Sequence, residues 1–210
     1  MIANPERFAL AIARFDAANA DDPNRESQSG NERPKELLYA ERLSSMLDRF
    51  APNASEALRL AARSQHIERW KIPRSDYPMT RPGYHQWRNR LRDFHADLAS
   101  AILRDVGYDD ATIGRVRSLI RKEGLKTDPE AQALEDAVAL SFLESYLDDF
   151  VRTHANYDEA KLTDILVKTA KKMSVTGREA ALTLIAPPLA LRGLIRVAME
   201  RASEPAQGTT

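Results

Sequence analysis

The sequence predicts an all-α protein, a single-domain helical bundle of about eight or nine helices. Its residues are 43% apolar and 30% charged, as in globular rather than disordered chains. Only 8 of the 210 residues are glycine, and the helix-favouring Ala, Leu, Arg and Glu are frequent. No segment alternates apolar and polar residues as strands do. We expect one domain over residues 1–201 and a flexible C-terminal tail at 202–210.

Three amphipathic helices are predicted before the first long loop. The first covers residues 5–19, and a polar segment rich in Pro, Gly and Ser comes after it as an exposed loop. Pro34 suits the first turn of a second helix, which ends at Phe50. Asn53 is placed to cap a third helix, with Glu56 three residues further on as its capping-box partner.

A loop punctuated by prolines separates the third helix from the fourth. Pro73 and Pro78 lie in this loop, and its length of about a dozen residues favours a functional or lid role over a simple connection. The fourth helix is predicted over residues 82–106, because its apolar residues share one face. His95 lies on that face, and Gly107 ends the helix.

The middle of the chain predicts two more helices. The fifth starts at Asp109 or Asp110, and its apolar row continues to Glu123. Asp128, which precedes a proline, is a strong N-cap for the sixth helix. This helix is apolar nearly all round in its middle and runs to about His154, so we expect it to be central.

The last part of the chain predicts three further helices. They correspond to the segments YDEAKLTDILVKTAKKM, TGREAALTLI and PPLALRGLIRVAMERA. Thr176 and Glu179 form a predicted capping box for the middle one. The final segment, SEPAQGTT, has the composition of a frayed tail.

Charge and cysteine content exclude several classes of function. The chain has 31 basic and 31 acidic residues, so its overall field gives no reason for tight non-specific binding to nucleic acid or to an anionic membrane. Without cysteine it has no disulfide framework, thiolate metal site or cysteine nucleophile. The N-terminus lacks a signal-peptide pattern, and no run reaches the roughly 18 apolar residues of a membrane span. We therefore expect a cytoplasmic protein without a membrane partner.

The segment from Ala61 to His95 concentrates side chains suited to binding an anion. It contains three of the four histidines and both tryptophans. Arginine offers a planar fork for phosphate or carboxylate, and aromatic rings offer a stacking surface. The candidate substrate-binding residues are Arg69, Trp70, Lys71, Arg74, Tyr77 and Arg88. They predict an anionic small molecule or nucleotide as ligand, with nucleic acid less favoured; alternatively, Trp70 and Tyr77 pin the loop to the core and the cations are solvated.

Four polar side chains on apolar stripes of different helices are candidate metal ligands. They are His66, His95, Glu123 and Asp136. Such groups need partners, and His and carboxylates suit divalent Mn, Fe, Zn or Mg in a helical bundle. His66 and Glu68 are the candidate catalytic residues, with Glu68 as a general acid or base. Alternatively, each of the four candidate ligands is a satisfied core residue, Glu68 faces water, and Arg88 forms a buried bridge to Glu123 or Asp136.

Four segments resemble a known family: ERPKELLYAERLS, AARSQHIERWKIPRSDYPMTRPGYHQWR, LIRKEGLKTDPEAQALEDAVALSFLE and KMSVTGREAAL. They look like bacterial and fungal proteins described only as a domain of unknown function, some fungal members being labelled glutamyl-tRNA synthetases. The resemblance covers about residues 8–199 and implies no established activity. Neither the α/β nucleotide-binding fold nor the phosphate-binding signature of a synthetase can be read in the sequence.

More remotely, the order of elements resembles the HD phosphohydrolase superfamily, all-α metal enzymes that cleave phosphate esters of nucleotides. In that resemblance LRLAARSQHIERW stands where a helix ends in the His-Asp doublet, and DPEAQALEDAVAL where the helix with the last ligand begins. His95 stands where some members carry an additional His. The chain departs from the pattern, because the doublet reads His66–Ile67, the second helix has no His, and the last Asp aligns with either Asp136 or Val138.

These observations lead to hypotheses from different classes. The first is an HD-like metal-assisted hydrolase acting on a phosphorylated small molecule or nucleotide, in which a divalent metal held by His66, His95 and a carboxylate activates water. The alternative is a non-catalytic nucleotide-, RNA- or anion-binding helical module. A third, a structural or partner-docking role, is expected if backbone carbonyls seal the histidines with no adjoining cavity.

Overall fold

The computed structural model describes residues 2–28, 30–125 and 127–204, and within these ranges the chain is all-α apart from one β-hairpin. The helices are α1 (Pro5–Ala20), α2 (Lys35–Phe50), α3 (Glu56–Ser64), α4 (Arg81–Asp105), α5 (Asp110–Arg121), α6 (Pro129–Ser145), α7 (Leu147–Thr153), α8 (Glu159–Ala170), α9 (Val175–Thr183) and α10 (Arg192–Ser203). Short 3₁₀ helices cover Arg69–Lys71, Arg74–Asp76 and Leu189–Leu191. None of the described helices is long and apolar enough to cross a bilayer.

Side-chain caps explain where most helices begin. Asn4, Thr80 and Asp128 each precede a helix with proline in its first turn, and their side chains accept backbone N–H groups of that turn. Asp109 caps α5 in the same way. Helix α3 departs from the prediction, because Ser55 rather than Asn53 accepts the N–H of the first turn.

The polar segment after α1 is not an open loop. It folds into an antiparallel hairpin of β1 (Arg25–Gln28) and β2 (Asn31–Pro34), with Gly30 at a positive φ of 82° in the connection. The hairpin could not be recognised in the sequence because it has no alternating apolar face. Ion pairs from Arg33 to Glu41, at 2.7 Å, and from Arg42 to Glu26 attach it to α2 instead.

Two helix boundaries in the second half also differ from the prediction. The helix expected to run to about His154 is broken at Tyr146, whose φ of −125° leaves the helical region and separates α6 from α7. Neither glycine nor proline marks this break. The predicted cap at Thr176 is replaced by Ser174, whose hydroxyl accepts the Gly177 N–H at 2.9 Å.

Contacts between α-carbons divide the chain into two compact units. The first comprises Met1–Asp48 with Pro52–Gly124, and the second Arg49–Ala51 with Leu125–Thr210. In the first, α4 packs on α5, α3 on α5 and α1 on both α3 and α4; in the second, α8 packs on α10, and α9 on α6 and α10. The single domain expected from the sequence stays a prediction. Of the predicted tail, 202–203 belong to α10, and 205–210 lie outside the described residues.

Candidate anion site

His66 and His95 lie side by side in the first unit. Their ring centroids are 5.9 Å apart. His95 comes from the inner face of α4, and His66 from the turn after α3. In that turn Ile67 is wholly buried, and Glu68 adopts a left-handed conformation, with φ 49°, while its N–H donates to the side-chain oxygen of Asn19 at 2.9 Å. The chain therefore reverses just after His66 and holds its ring against α4.

One hydrogen bond fixes the orientation of His95. Its Nδ1 lies 2.7 Å from the carbonyl oxygen of Ile67, and because a carbonyl only accepts, Nδ1 carries the proton. The other ring nitrogen, Nε2, is buried and has no hydrogen-bond partner among the described residues. Burial lowers the pKa of His95 to about 3, so the ring is neutral at neutral pH.

His66 is held between Arg69, Glu36 and Tyr39. The Arg69 guanidinium donates to Nε2 at 3.3 Å, so the ring proton is on Nδ1, which lies 3.5 Å from a carboxylate oxygen of Glu36. Tyr39 stacks on the ring at a centroid distance of 4.2 Å. Burial, with Arg69 and His95 adding to it, holds the pKa of His66 well below its usual value. Both imidazoles are therefore neutral hydrogen-bonding groups.

Glu36 is a part of the site that was not predicted from the sequence. Its side chain is buried, and desolvation raises its pKa to about 7 despite the opposing effect of Arg69, 3.9 Å away. The backbone N–H of Glu36 donates to the buried Asp22 carboxylate at 2.9 Å, which fixes the start of α2. A signal was present: Glu36 lies four residues before Ala40 and seven before Leu43, on the buried stripe of α2.

A small cleft of about 10 Å³ lies beside the two histidines. Its lining residues are Gln65, His66, Arg69, Arg88, Leu91, Arg92, His95, Ile120 and Lys122. This volume is comparable to one water molecule. Lys122 reaches the cleft because it ends α5 in a left-handed conformation, with φ 60°. Four of the nine lining side chains are cationic and none is acidic, so the lining itself carries an excess of positive charge.

The other predicted substrate-binding residues have different roles. Arg74 donates to the carbonyl oxygens of Tyr77 at 2.9 Å and Pro78 at 2.7 Å, so it clamps the proline loop rather than offering its fork to a ligand. Lys71 forms an ion pair with Glu68, the predicted general acid or base, at 2.7 Å. Trp70 and Tyr77 are half-buried and do not line the cleft.

Trp87 and Gly83 hold the same loop against α4. The indole N–H of Trp87 donates to the Ile72 carbonyl at 2.9 Å, and Arg69 stacks over the ring at 4.8 Å. Gly83 is required for a close approach, since a β-carbon there would lie 2.2 Å from the Pro78 carbonyl oxygen. The loop position thus depends on contacts that were not predicted from the sequence.

Gly83→Ala is expected to displace the loop and lower the free energy of unfolding by about 1 to 3 kcal/mol, because the added methyl overlaps backbone. The displacement should speed hydrogen exchange of the Trp87 indole N–H, measured by NMR. Gly114→Ala is the matched control, since a β-carbon at Gly114 meets nothing within 4 Å. It should leave the indole unchanged and be neutral or slightly stabilising. Equal behaviour of the two variants would contradict the expected contact.

The other two predicted metal ligands, Glu123 and Asp136, have contacts of their own. Glu123 is exposed and 3.5 Å from Arg121, because α5 ends at Arg121 and the apolar row does not continue past it. Asp136 belongs to the second unit, where its carboxylate accepts from Ser174 N–H at 2.8 Å, from Ser174 Oγ at 2.6 Å and from the Gln132 amide at 3.0 Å.

The donor set around the histidines does not fit a divalent metal. In the ranges that the structure describes, no three His, Asp or Glu side chains are grouped so that they could hold an ion. Nε2 of His66 faces an arginine, and Nδ1 of His95 faces a carbonyl group. Of the predicted ligand set of His66, His95, Glu123 and Asp136, the two histidines lie together and their surroundings are cationic, and Glu123 does not line the cleft; the full set stays a prediction.

Comparisons with known proteins place the chain in a family but give no activity. Residues 9–195 match the model of a domain of unknown function, DUF4202. No curated protein matched, and no solved structure matched either. Because the match spans most of the sequence, the chain belongs to the DUF4202 family.

Proposed function

We propose that the cleft between His66, His95 and Arg88 binds a compact oxyanion, such as the phosphate group of a phosphorylated small molecule or nucleotide. The observation that carries this proposal is the charge of the lining: Arg69, Arg88, Arg92 and Lys122 surround the cleft without any lining carboxylate. Cations brought together in this way repel one another, and an anion among them removes that repulsion. Guanidinium groups also match the geometry of phosphate oxygens.

Arg88 is the cation most clearly available to a ligand. Within the described residues its guanidinium has no hydrogen bond or ion pair, whereas Arg69 is already engaged by His66 and Glu36. Arg88 also acts electrostatically on both histidines, lowering the pKa of each. A phosphate group is larger than the cleft, so binding requires long side chains such as Arg88 to swing outward, a rotamer change that is common on binding.

The two hypotheses from the sequence differ in whether the bound anion reacts. The anion-binding module needs only the charged cleft, so the geometry favours it. The HD-like fold and the metal-assisted hydrolase stay predictions from resemblance, and since the donors do not fit a metal, we derive no step through one. The same cleft would hold the anionic group in either case.

The proposal is tested by calorimetric titration of the full chain with inorganic phosphate, pyrophosphate and adenosine monophosphate at low salt. We expect saturable binding that weakens as salt is raised. Arg88→Gln should weaken it about tenfold, the value of one charge-assisted hydrogen bond.

Arg90→Gln is the matched control, because Arg90 is exposed and lies about 200° around α4 from Arg88. It removes the same charge from the molecule and should change the affinity less than twofold. The proposal is wrong if none of the three ligands binds saturably, or if both variants weaken binding equally.

A further inference from the structure

We infer that His95 makes this cleft selective for an oxyanion that carries its own proton, hydrogen phosphate, over an oxyanion of the same shape and charge that carries none, such as sulfate. This inference rests on the proposed function and narrows its ligand: hydrogen phosphate, or a phosphate ester in its singly protonated form, is favoured over a fully ionised phosphate ester. Its basis is the one ring nitrogen of His95 that is left without a partner among the described residues.

The free atom of His95 is an acceptor with a fixed position. Nδ1 is committed to the Ile67 carbonyl, so the ring cannot turn over without breaking that 2.7 Å bond. Nε2 therefore keeps its lone pair, and the ring that carries it is only 3% exposed and lines the cleft. A buried acceptor without a partner is costly, and a donor from a ligand would remove that cost.

The neighbours of Nε2 keep it an acceptor when the cleft is filled. Arg69 and Arg88 face the ring and, with burial, disfavour its protonation. These cations donate to the oxygens of a bound anion and have nothing to offer as acceptors. An anion without a proton would thus accept hydrogen bonds from the arginines, but it would place an oxygen lone pair opposite the lone pair of Nε2, with no hydrogen between them. An anion with an O–H group satisfies both.

The other acceptors of the cleft do not discriminate in this way. Nε2 of His66 already accepts from Arg69. Gln65 also lines the cleft with a buried side-chain oxygen that has no partner among the described residues. Its amide, however, presents either oxygen or nitrogen after a half-turn, so it adapts to both kinds of ligand. The choice between the two anions therefore falls to His95.

The test compares phosphate and sulfate on the full chain by calorimetry at pH 8 and low salt. At this pH both are tetrahedral dianions, but only phosphate retains an O–H group. We expect phosphate to bind about tenfold more tightly, because sulfate leaves Nε2 unsatisfied. Methyl phosphate, a dianion without a proton at this pH, should behave as sulfate does, which separates free hydrogen phosphate from a phosphate ester.

His95→Asn is the informative variant, because the asparagine amide can still donate to the Ile67 carbonyl while the acceptor at the position of Nε2 is removed. The preference for phosphate should fall to about twofold or less, through loss of phosphate affinity alone. His154→Asn is the matched control: His154 also bonds a carbonyl through Nδ1, that of Phe150 at 2.9 Å, and it does not line the cleft. The His154→Asn variant should prefer phosphate over sulfate to the same degree as the unaltered chain.

The possible outcomes separate the proposed anion site from the proposed role of His95. If neither phosphate nor sulfate binds, the proposed function fails and the inference falls with it. If both bind with equal affinity, or methyl phosphate binds as tightly as phosphate, the anion site stands and the role of His95 is wrong. A preference that survives in His95→Asn also overturns it, provided that circular dichroism shows the variant to be folded.

Discussion

Asp136→Ala should lower the free energy of unfolding by about 3 kcal/mol, because several donors depend on this one carboxylate. Asp136 is 1% exposed and accepts hydrogen bonds from Ser174 and Gln132. Gly177 packs directly on it, since a β-carbon at that glycine would lie 2.6 Å from the carboxylate. Alanine would leave a gap and remove the acceptor for the N–H and hydroxyl groups of Ser174, the residue that caps α9.

The loss is measured by urea denaturation monitored by circular dichroism. Asp164→Ala is the control, because Asp164 is exposed and only pairs with Lys168 on the same helix; we expect little change from it. Trp70 and Trp87 both lie in the first unit, whereas Asp136 lies in the second. If the chain is one cooperative domain, as the sequence predicts, the denaturation midpoint followed by tryptophan fluorescence should fall as much as the midpoint followed by circular dichroism. Equal stability of Asp136→Ala and the unaltered chain would show that the carboxylate is not structural.

The helices could be predicted where a single local signal decides their ends. Asp128 before a proline and Asp109 before α5 are such signals, since a cap needs only the residues of its own first turn. The errors occur where two neighbouring residues compete, as Ser55 does with Asn53 and Ser174 with Thr176. Which of two candidate caps is used depends on how the preceding loop enters the helix, and the sequence window does not contain that information.

The two histidines of the candidate site could be singled out from the sequence, whereas the contacts of the residues around them could not. Histidine on an apolar face is unusual enough to find from periodicity, and His95 was found in this way. The role of an arginine was not predictable, because the partner of a guanidinium is set by tertiary geometry: Arg74 turns to loop carbonyls and Arg69 to Glu36. Glu36 itself was overlooked, since an acidic residue in the first turn of a helix usually faces solvent.

Glu123 shows how a difference of one residue at a helix end changes a predicted site. Counting from Ile120 at helical spacing places Glu123 on the buried row. Lys122 takes a left-handed conformation, so the helix ends before Glu123 and helical spacing no longer applies to it. Glu123 is therefore exposed. The same turn brings Lys122 into the lining of the cleft. The lining of the cleft thus contains the cationic Lys122, whereas the sequence predicted the carboxylate of Glu123 at this position.

Glu36→Gln should make the protein more stable relative to the unaltered chain as pH rises. The pKa of Glu36 is about 7 in the folded chain, against a reference value of 4.5. Between these two values the folded state binds more protons than the unfolded state, so burial of Glu36 costs stability progressively as pH increases. Glutamine keeps the shape and never ionises. Its advantage should therefore grow by about 2 kcal/mol from pH 5 to pH 8.

The measurement is urea denaturation of both proteins across this pH range, monitored by tryptophan fluorescence. His66 and His95 act in the opposite direction, because their lowered pKa values remove stability as pH falls below about 6.5. This contribution is common to both proteins, so the difference between their curves isolates Glu36. Glu32→Gln is the control: Glu32 is exposed, and its curve should run parallel to that of the unaltered chain. If Glu36→Gln also runs parallel, the carboxyl group is not held in a buried, charge-disfavouring environment.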